Sequence, residues 1–291
     1  MRKTKEQKLR FIELMKKHYP QMEVEESGFI KSRNLVVGNV EQAEVIFTAH
    51  YDTCAQLPFP NFIAPKNFLL TILYSLLICV PFFILMGIVE YLIMRLTDNL
   101  LLSYWISLIV LLGTILWVFM LGKPNEHTAN DNTSGVILLC ELIAALDEET
   151  RNKAAFVFFD NEENGLLGSA QFLKKHKKAM KNKLLINFDC ISDGDNILLV
   201  ENKKAGKKYG EILARSFRGS ESKEIHFEKS SNTFYPSDQA NFPVNVGVAV
   251  LKKKKGIGYY MNRIHTKRDV IFEEENIRLL RDGAKRFLTY I

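Results

Sequence analysis

Two adjacent carboxylates, Glu162 and Glu163, follow the apolar run Phe156-Val157-Phe158-Phe159 and precede Gly165-Leu166-Leu167-Gly168-Ser169. An apolar run of this kind predicts a buried strand. Adjacent side chains on an extended backbone point to opposite sides, so at a strand end the two glutamates can divide two tasks, one binding a metal ion and the other holding a proton. A lone Glu-Glu pair is as readily a solvated acidic turn, so its chemistry depends on what else the chain supplies. His50 and Asp52 follow the apolar Val45-Ile46-Phe47. Their i, i+2 spacing places both on one side of a strand, and a metal-binding histidine often gives its second ring N–H to a carboxylate. Asp131 stands in a polar loop just ahead of an apolar helical pattern over Val136–Leu146, Asp189 follows the apolar run Leu184–Phe188, and His265 lies in a loop that leads to Asp269. Two histidines and several carboxylates gathered in one place form the mixed nitrogen and oxygen donor set that zinc accepts.

The elements that must gather them alternate. Glu44–Ala49, Phe156–Phe159, Leu184–Phe188, Ile197–Val200 and Val244–Leu251 are expected strands, with one or two more over Phe29–Val37. Val136–Leu146, Ala170–Met180, Tyr209–Phe217 and Glu274–Leu288 are expected helices. Alternation of this kind predicts an α/β fold, a largely parallel central sheet with helices on both faces. In such folds sites collect at the carboxyl ends of the strands, where His50, Asp52, Glu162, Glu163 and Asp189 all fall. Residues 1–19 form an amphipathic helix stopped by Pro20, with no apolar core of the kind a secretory signal has.

The composition changes abruptly after residue 66. Phe68–Val89 and Leu100–Leu121 are each 22 residues without a formal charge, joined by a short polar connection containing Arg95, Asp98 and Asn99. About 20 apolar residues suffice for a helix to cross a bilayer core, so the pair is expected to be a transmembrane hairpin. Tyr74, Tyr91, Tyr104, Trp105 and Trp117 are available as interfacial anchors, and Pro81 predicts a kink. The expected organisation is a catalytic domain in two parts, 1–66 and 122–291, with the hairpin 67–121 inserted between them. Lys66 and Lys123 flank the hairpin on the side of both soluble parts and Arg95 lies near its turn, a bias that places the catalytic domain in the cytoplasm.

Composition narrows the remaining classes. The chain has 291 residues, 25% charged and 47% hydrophobic, with a net charge of +6, values ordinary for a globular protein. The lysines are dispersed and accompany no nucleic-acid motif, so nucleic acid is not an expected partner. Four cysteines, Cys54, Cys79, Cys140 and Cys190, lack metal-type pairing and disulfide density, which suits a reducing compartment.

Five motifs in order resemble the co-catalytic di-zinc aminopeptidase family, which is related to glutamate carboxypeptidases and glutaminyl cyclases. They are His50-x-Asp52; Ala129-Asn-Asp-Asn-x-Ser-Gly135; Glu162-Glu-x-Gly-Leu-x-Gly-Ser169; Asp189 after a strand; and His265-Thr-x-x-Asp269. The resemblance implies two Zn2+ ions, or other divalent metals, bridged by Asp131. His265 and Glu163 would complete one set of ligands and His50 and Asp189 the other, with Asp52 orienting His50 and Glu162 as general base. It also implies a peptide substrate with a free N-terminus. The chain departs from the family pattern twice. Ser237-Asp238-Gln239 stands where many members have Ser-Asp-His, and 78 residues separate Asp52 from Asp131 where secreted members have a much shorter loop. The expectation is a membrane-anchored metallo-aminopeptidase whose partners are peptide and lipid bilayer. A glutaminyl cyclase-like acyltransferase and an inactive membrane scaffold are the alternatives.

Overall fold

The computed structural model describes residues 1–291. In chain order the elements are α1 (Lys5–His18), β1 (Glu23–Ser27), β2 (Ser32–Val37), β3 (Val45–His50), α2 (Phe68–Thr97), α3 (Leu100–Leu116), α4 (Ser134–Ala145), α5 (Glu148–Asn152), β4 (Ala154–Phe159), α6 (Leu167–Lys175), β5 (Leu184–Phe188), β6 (Asn196–Glu201), α7 (Lys203–Ser216), β7 (Glu224–Lys229), β8 (Asn245–Lys254), β9 (Gly258–Tyr260) and α8 (Glu274–Tyr290). One sheet runs β1-β2-β4-β3-β5-β8-β6-β7, with β9 paired to β8. Its centre, β4-β3-β5-β8, is parallel, while β1-β2, β2-β4, β6-β8 and β8-β9 are antiparallel.

The central strands are buried on both faces, and their side chains alternate between two cores as a period of two requires. Val45, Phe47 and Ala49 of β3 and Ala154, Phe156 and Phe158 of β4 join one core with α1, α4, α7 and α8. Ile46 of β3 and Ala155, Val157 and Phe159 of β4 face the other, where α6 supplies Phe172. This two-sided burial makes these strands continuous apolar runs, and those runs marked them in the sequence.

Several boundaries differ from the sequence expectation. Phe29 and Ile30 belong to the turn between β1 and β2, not to a strand, and both are exposed. The expected helix over Ala170–Met180 begins at Leu167 and stops at Lys175, and α7 starts at Lys203, six residues before Tyr209. The edge strands β1 and β7 are rich in charge and half exposed, so no apolar run announces them.

The two apolar helices are long and apolar enough to cross a membrane. Helix α2 continues through Arg95 to Thr97, so the polar connection is only Asp98-Asn99, with Asp98 in the left-handed region. Pro81 sits within a single helical element. α3 ends in a wider π turn over Trp117–Leu121. The helices lie against each other through Ser103, Ser107 and Phe82, the small-residue seam that lets helix backbones approach. Their outer faces are exposed, including Leu76, Leu77, Phe83, Ile109 and Leu112.

At its base the hairpin joins the sheet domain through a narrow neck. Ala55 pairs with Pro124 in an antiparallel bridge, the Gln56 N–H donates to the Lys123 carbonyl at 2.8 Å, and the Asn125 N–H donates to the Cys54 carbonyl at 3.1 Å. Phe59 contacts Phe119, and Phe62 contacts Tyr74.

Candidate metal centre

β3 ends at His50, β4 at Phe159 and β5 at Phe188. These neighbouring parallel strands release His50, the Glu162-Glu163 turn and Asp189 at one edge of the sheet. Asp131 enters from the loop before α4 and His265 from the loop after β9. At three of these points the backbone is left-handed without glycine: Asn161 (φ 55°), Cys190 (φ 57°) and His265 (φ 60°). Such conformations cost of order 1–3 kcal/mol each and persist where the surroundings fix them.

Asp131 lies between the histidines. Its Oδ1 is 3.3 Å from His50 Nε2 and its Oδ2 is 2.8 Å from His265 Nε2. Asp189 Oδ1 is 3.3 Å from His50 Nε2, and Glu163 Oε2 is 3.3 Å from His265 Nε2. Donor atoms sharing a tetrahedral ion with bonds of 2.0–2.2 Å are roughly 3.3–3.6 Å apart, which the three 3.3 Å spacings match, while the 2.8 Å Asp131–His265 contact is a hydrogen-bond distance. The chemistry fits too. Glu163 Oε1 is buried without a hydrogen-bond partner, an arrangement that costs energy until a cation or donor meets it. Two triads of donor atoms lie within 4.8 Å of one another, His50-Asp131-Asp189 and Cys54-Glu163-His265. The five ligands named from the sequence thus converge, and Cys54, read from the sequence as lacking metal-type pairing, joins them.

Their supports come from distant segments. Asp269 receives the Asn130 N–H on Oδ1 at 2.7 Å and the Asp131 N–H on Oδ2 at 3.0 Å. Asp52 was expected to orient His50. His50 Nδ1 is 3.2 Å from the Asp52 backbone carbonyl and 3.6 Å from its carboxylate, and that carboxylate receives the backbone N–H groups of Glu162 and Glu163. The Asp189 N–H donates to the Val248 carbonyl, and its own carbonyl receives the Tyr235 hydroxyl at 3.1 Å. Lys8, buried, pairs with Asp160 at 2.6 Å and donates to Asn161 at 2.7 Å, just ahead of Glu162. Two glycines allow close approach: a Cβ at Gly135 would lie 2.5 Å from the Phe188 carbonyl oxygen and one at Gly168 2.0 Å from that of Asp160.

The charges are concentrated and buried. Burial raises the Glu162 carboxyl, His50 pulls it down, and Glu163, Asp189 and Asp238 raise it again, leaving it well above the usual range. Burial pushes Glu163 up to about 8 against the opposing pull of His265. Burial lowers His265, but Glu163 and Asp131 overcome this and bring it to about 9. His50 is likewise depressed by burial, then raised well above normal by Asp189, Glu162 and Asp131. Burial would raise Asp131, but the two histidines hold it below the usual carboxylate range. Burial, then Glu163 and Asp131, push the Cys54 thiol well up.

Arg2 and Asn61 had no reading in the sequence, and Asp238 was read only as part of the altered Ser237-Asp238-Gln239 motif. Arg2 donates to the Tyr51 carbonyl and, at 3.0 Å, to Thr133 Oγ1, tying the His50 and Asp131 loops together. The residues around it gave no signal beyond an amphipathic helix. Asp238 is buried with neither carboxylate oxygen hydrogen-bonded, and burial brings it to about 7. Asn61, from the segment leading into α2, places its side-chain amide 3.3 Å from His265 Nδ1.

Comparison with known proteins identifies the fold and the family. Among solved structures, the fold resembles the LapA aminopeptidase of Legionella pneumophila (TM-score 0.58, 12% identity, 99% of this chain and 64% of that one). It also resembles a Zn-dependent exopeptidase from Parabacteroides distasonis (TM-score 0.57, 11% identity, 99% of this chain and 91% of that one). Legionella pneumophila LapB is similar as well (TM-score 0.52, 15% identity, 96% of this chain and 62% of that one). The chain spans under two-thirds of the length of the LapA and LapB chains in these alignments. No curated protein matches it in sequence. The model of "Peptidase family M28" matches residues 117–288, more than half of the chain, including Asp131, Glu162, Glu163, Asp189 and His265. With its fold that of zinc exopeptidases and its sequence matched over that length, the chain belongs to peptidase family M28.

Proposed function

We propose that this peptidase is a membrane-anchored aminopeptidase with two zinc ions that hydrolyses the N-terminal peptide bond of its substrates. The observation that carries the reading is Asp131, whose two oxygens face two histidines, each accompanied by a further carboxylate. In this reading Asp131 is shared by both metal positions, with His50 and Asp189 on one side and His265 and Glu163 on the other. Zinc bound there would polarise the scissile carbonyl and bring the pKa of a water toward neutrality.

Glu162 is the general base. It belongs to neither triad, so its carboxylate is not spent on a metal and can exchange a proton. It takes the proton of the attacking water and delivers it to the leaving amine. Asp52 and Lys8 position its turn from behind.

Residues 1–66 and 122–291 are proposed to form one catalytic unit, because β3 of the first part lies between β4 and β5 of the second. Residues 67–121 are proposed to anchor it. Lys66 reaches Glu228 of the catalytic unit at 2.5 Å, in keeping with both flanking lysines on the cytoplasmic face.

The test is release of amino acids from unblocked peptides, beside the same peptides with blocked N-termini and peptides beginning with glutamine. Release from the unblocked peptides alone is the expected result. Cyclisation of the glutamine peptides would favour an acyltransferase, and no turnover of any would favour a scaffold.

A further inference from the structure

Cys54 lies two residues past Asp52, buried, on the neck strand that pairs with residues 123–125. Its Sγ is within 4.8 Å of donor atoms of both Glu163 and His265. Glu163 has a side chain only 10% exposed, and its Oε1 is buried without a partner. The thiol, the unpartnered carboxylate oxygen and the imidazole thus converge on one point. The Cys54 carbonyl and the two residues after it are pinned by the neck, which restrains the sulfur. The triad on the His50 side contains only nitrogen and oxygen donors, so the two sides of Asp131 differ in chemical character.

We propose that Cys54 is a thiolate ligand on the His265 side of the centre, making the two metal positions unequal. One is a nitrogen–oxygen site of His50, Asp131 and Asp189; the other is a softer site of Cys54, Glu163, His265 and Asp131. This rests on the two-metal reading above and adds a donor to it. On binding, the S–H bond breaks, the proton passes to solvent and a metal–sulfur bond forms. Thiolate selects zinc, cadmium and cobalt over magnesium and manganese, so the softer position discriminates against hard cations.

The test uses the full chain in detergent, stripped with a chelator and titrated with Co2+ while bound cobalt is counted. The expected result is two cobalt ions per chain and a sulfur-to-cobalt charge-transfer band in the near ultraviolet that grows with one of the two equivalents. The band is lost in Cys54→Ser and kept in Cys79→Ser. Two bound cobalt ions without the band in the unmodified protein overturn the ligation and leave the two-metal reading standing. Persistence of the band in Cys54→Ser overturns it as well. Fewer than two bound ions overturns the two-metal reading and this proposal together. The unmodified protein alone decides the first of these outcomes, so a Cys54→Ser chain that fails to fold does not shelter the proposal.

Discussion

Asp52 binds the backbone of Glu162: its Oδ1 accepts the Glu162 N–H at 3.1 Å, while its other oxygen accepts that of Glu163 at 3.3 Å. One carboxylate therefore fixes the turn that carries both the proposed base and a proposed ligand. Asp52→Asn replaces one acceptor oxygen by an NH2 donor, which faces an N–H it cannot satisfy. The expected outcome is zinc affinity lower by about 10–100-fold, the usual effect of removing such a support, together with a fall in kcat. Competition with a chromophoric chelator measures the first. Unchanged affinity would leave Asp52 without a supporting role.

Glu162→Gln separates proton transfer from metal binding. Turnover should fall by about 10²–10⁴-fold, the usual contribution of general acid–base catalysis, with two zinc ions still bound. Glu163→Gln and Asp189→Asn should lose metal as well. Elemental analysis beside the peptide assay distinguishes these cases, and full activity in Glu162→Gln would contradict the mechanism.

The metal-free protein should lose stability as pH rises from 5 to 9. Asp238 and Asp269, each raised to about 7, and Glu163, raised to about 8, all hold protons in the folded chain that the unfolded chain has released. Burial is the first cause in all three. His265, brought to about 9, does the same above its ordinary value near 6.5. Where the folded state binds more protons, stability falls as pH increases, here by on the order of a few kcal/mol. Zinc held by Glu163 and His265 replaces the protons on those two groups, and its charge favours the ionised form of the other two, so the loaded protein should show a flatter profile and release protons on loading. Melting temperatures with chelator and with zinc across this range test the sign. A metal-free melting temperature that climbs toward pH 9 would contradict it.

The hairpin's orientation is open to labelling. Asn99→Cys, at the two-residue turn, should react with a membrane-impermeant maleimide added outside intact cells, and Lys123→Cys only after permeabilisation. The reverse pattern would put the catalytic unit outside.

Substrate choice tests whether the hairpin does more than anchor. Leu57 donates its N–H to the His265 carbonyl at 2.8 Å, and Asn61 touches the His265 ring, so the segment entering α2 borders the site. Replacing Asn67–Leu121 by a short polar loop should preserve hydrolysis of a water-soluble peptide. It should slow, selectively, that of a lipid-partitioning peptide in the presence of vesicles. Equal effects on both would make the helices an anchor only.

What the sequence disclosed followed from where each signal resides. Strands β3, β4 and β5 are buried on both faces, so their apolar runs and the polar residues at their ends could be read directly. The donors were legible because side-chain chemistry and spacing are local. Arg2 and Asn61 were not, since each matters only through a loop it meets in the folded chain. Asp238 looked like one half of an altered motif, and its burial without partners is a property of packing. Cys54 stood in plain view beside Asp52, but spacing did not connect it to Glu163 and His265, more than a hundred residues away. Strand β7, with Glu224, Glu228 and Lys229 along it, pairs only with β6 at the sheet margin, where charge is compatible with a strand and hides it from an apolar-run criterion.

The Ala55–Pro124 bridge has a consequence for how the chain is assembled. Between these two residues, 56–66 pack back on the catalytic unit through Leu57, Asn61 and Lys66, and only the apolar hairpin beyond them is an excursion from the domain. The entropic cost of such a detour grows only with the logarithm of its length, about 0.6 kcal/mol for each doubling. The sheet can therefore accept a hairpin, a short loop or another pair of helices at this junction without altering the order in which its strands pair, and the apolar hairpin is a modular insertion in a peptidase frame.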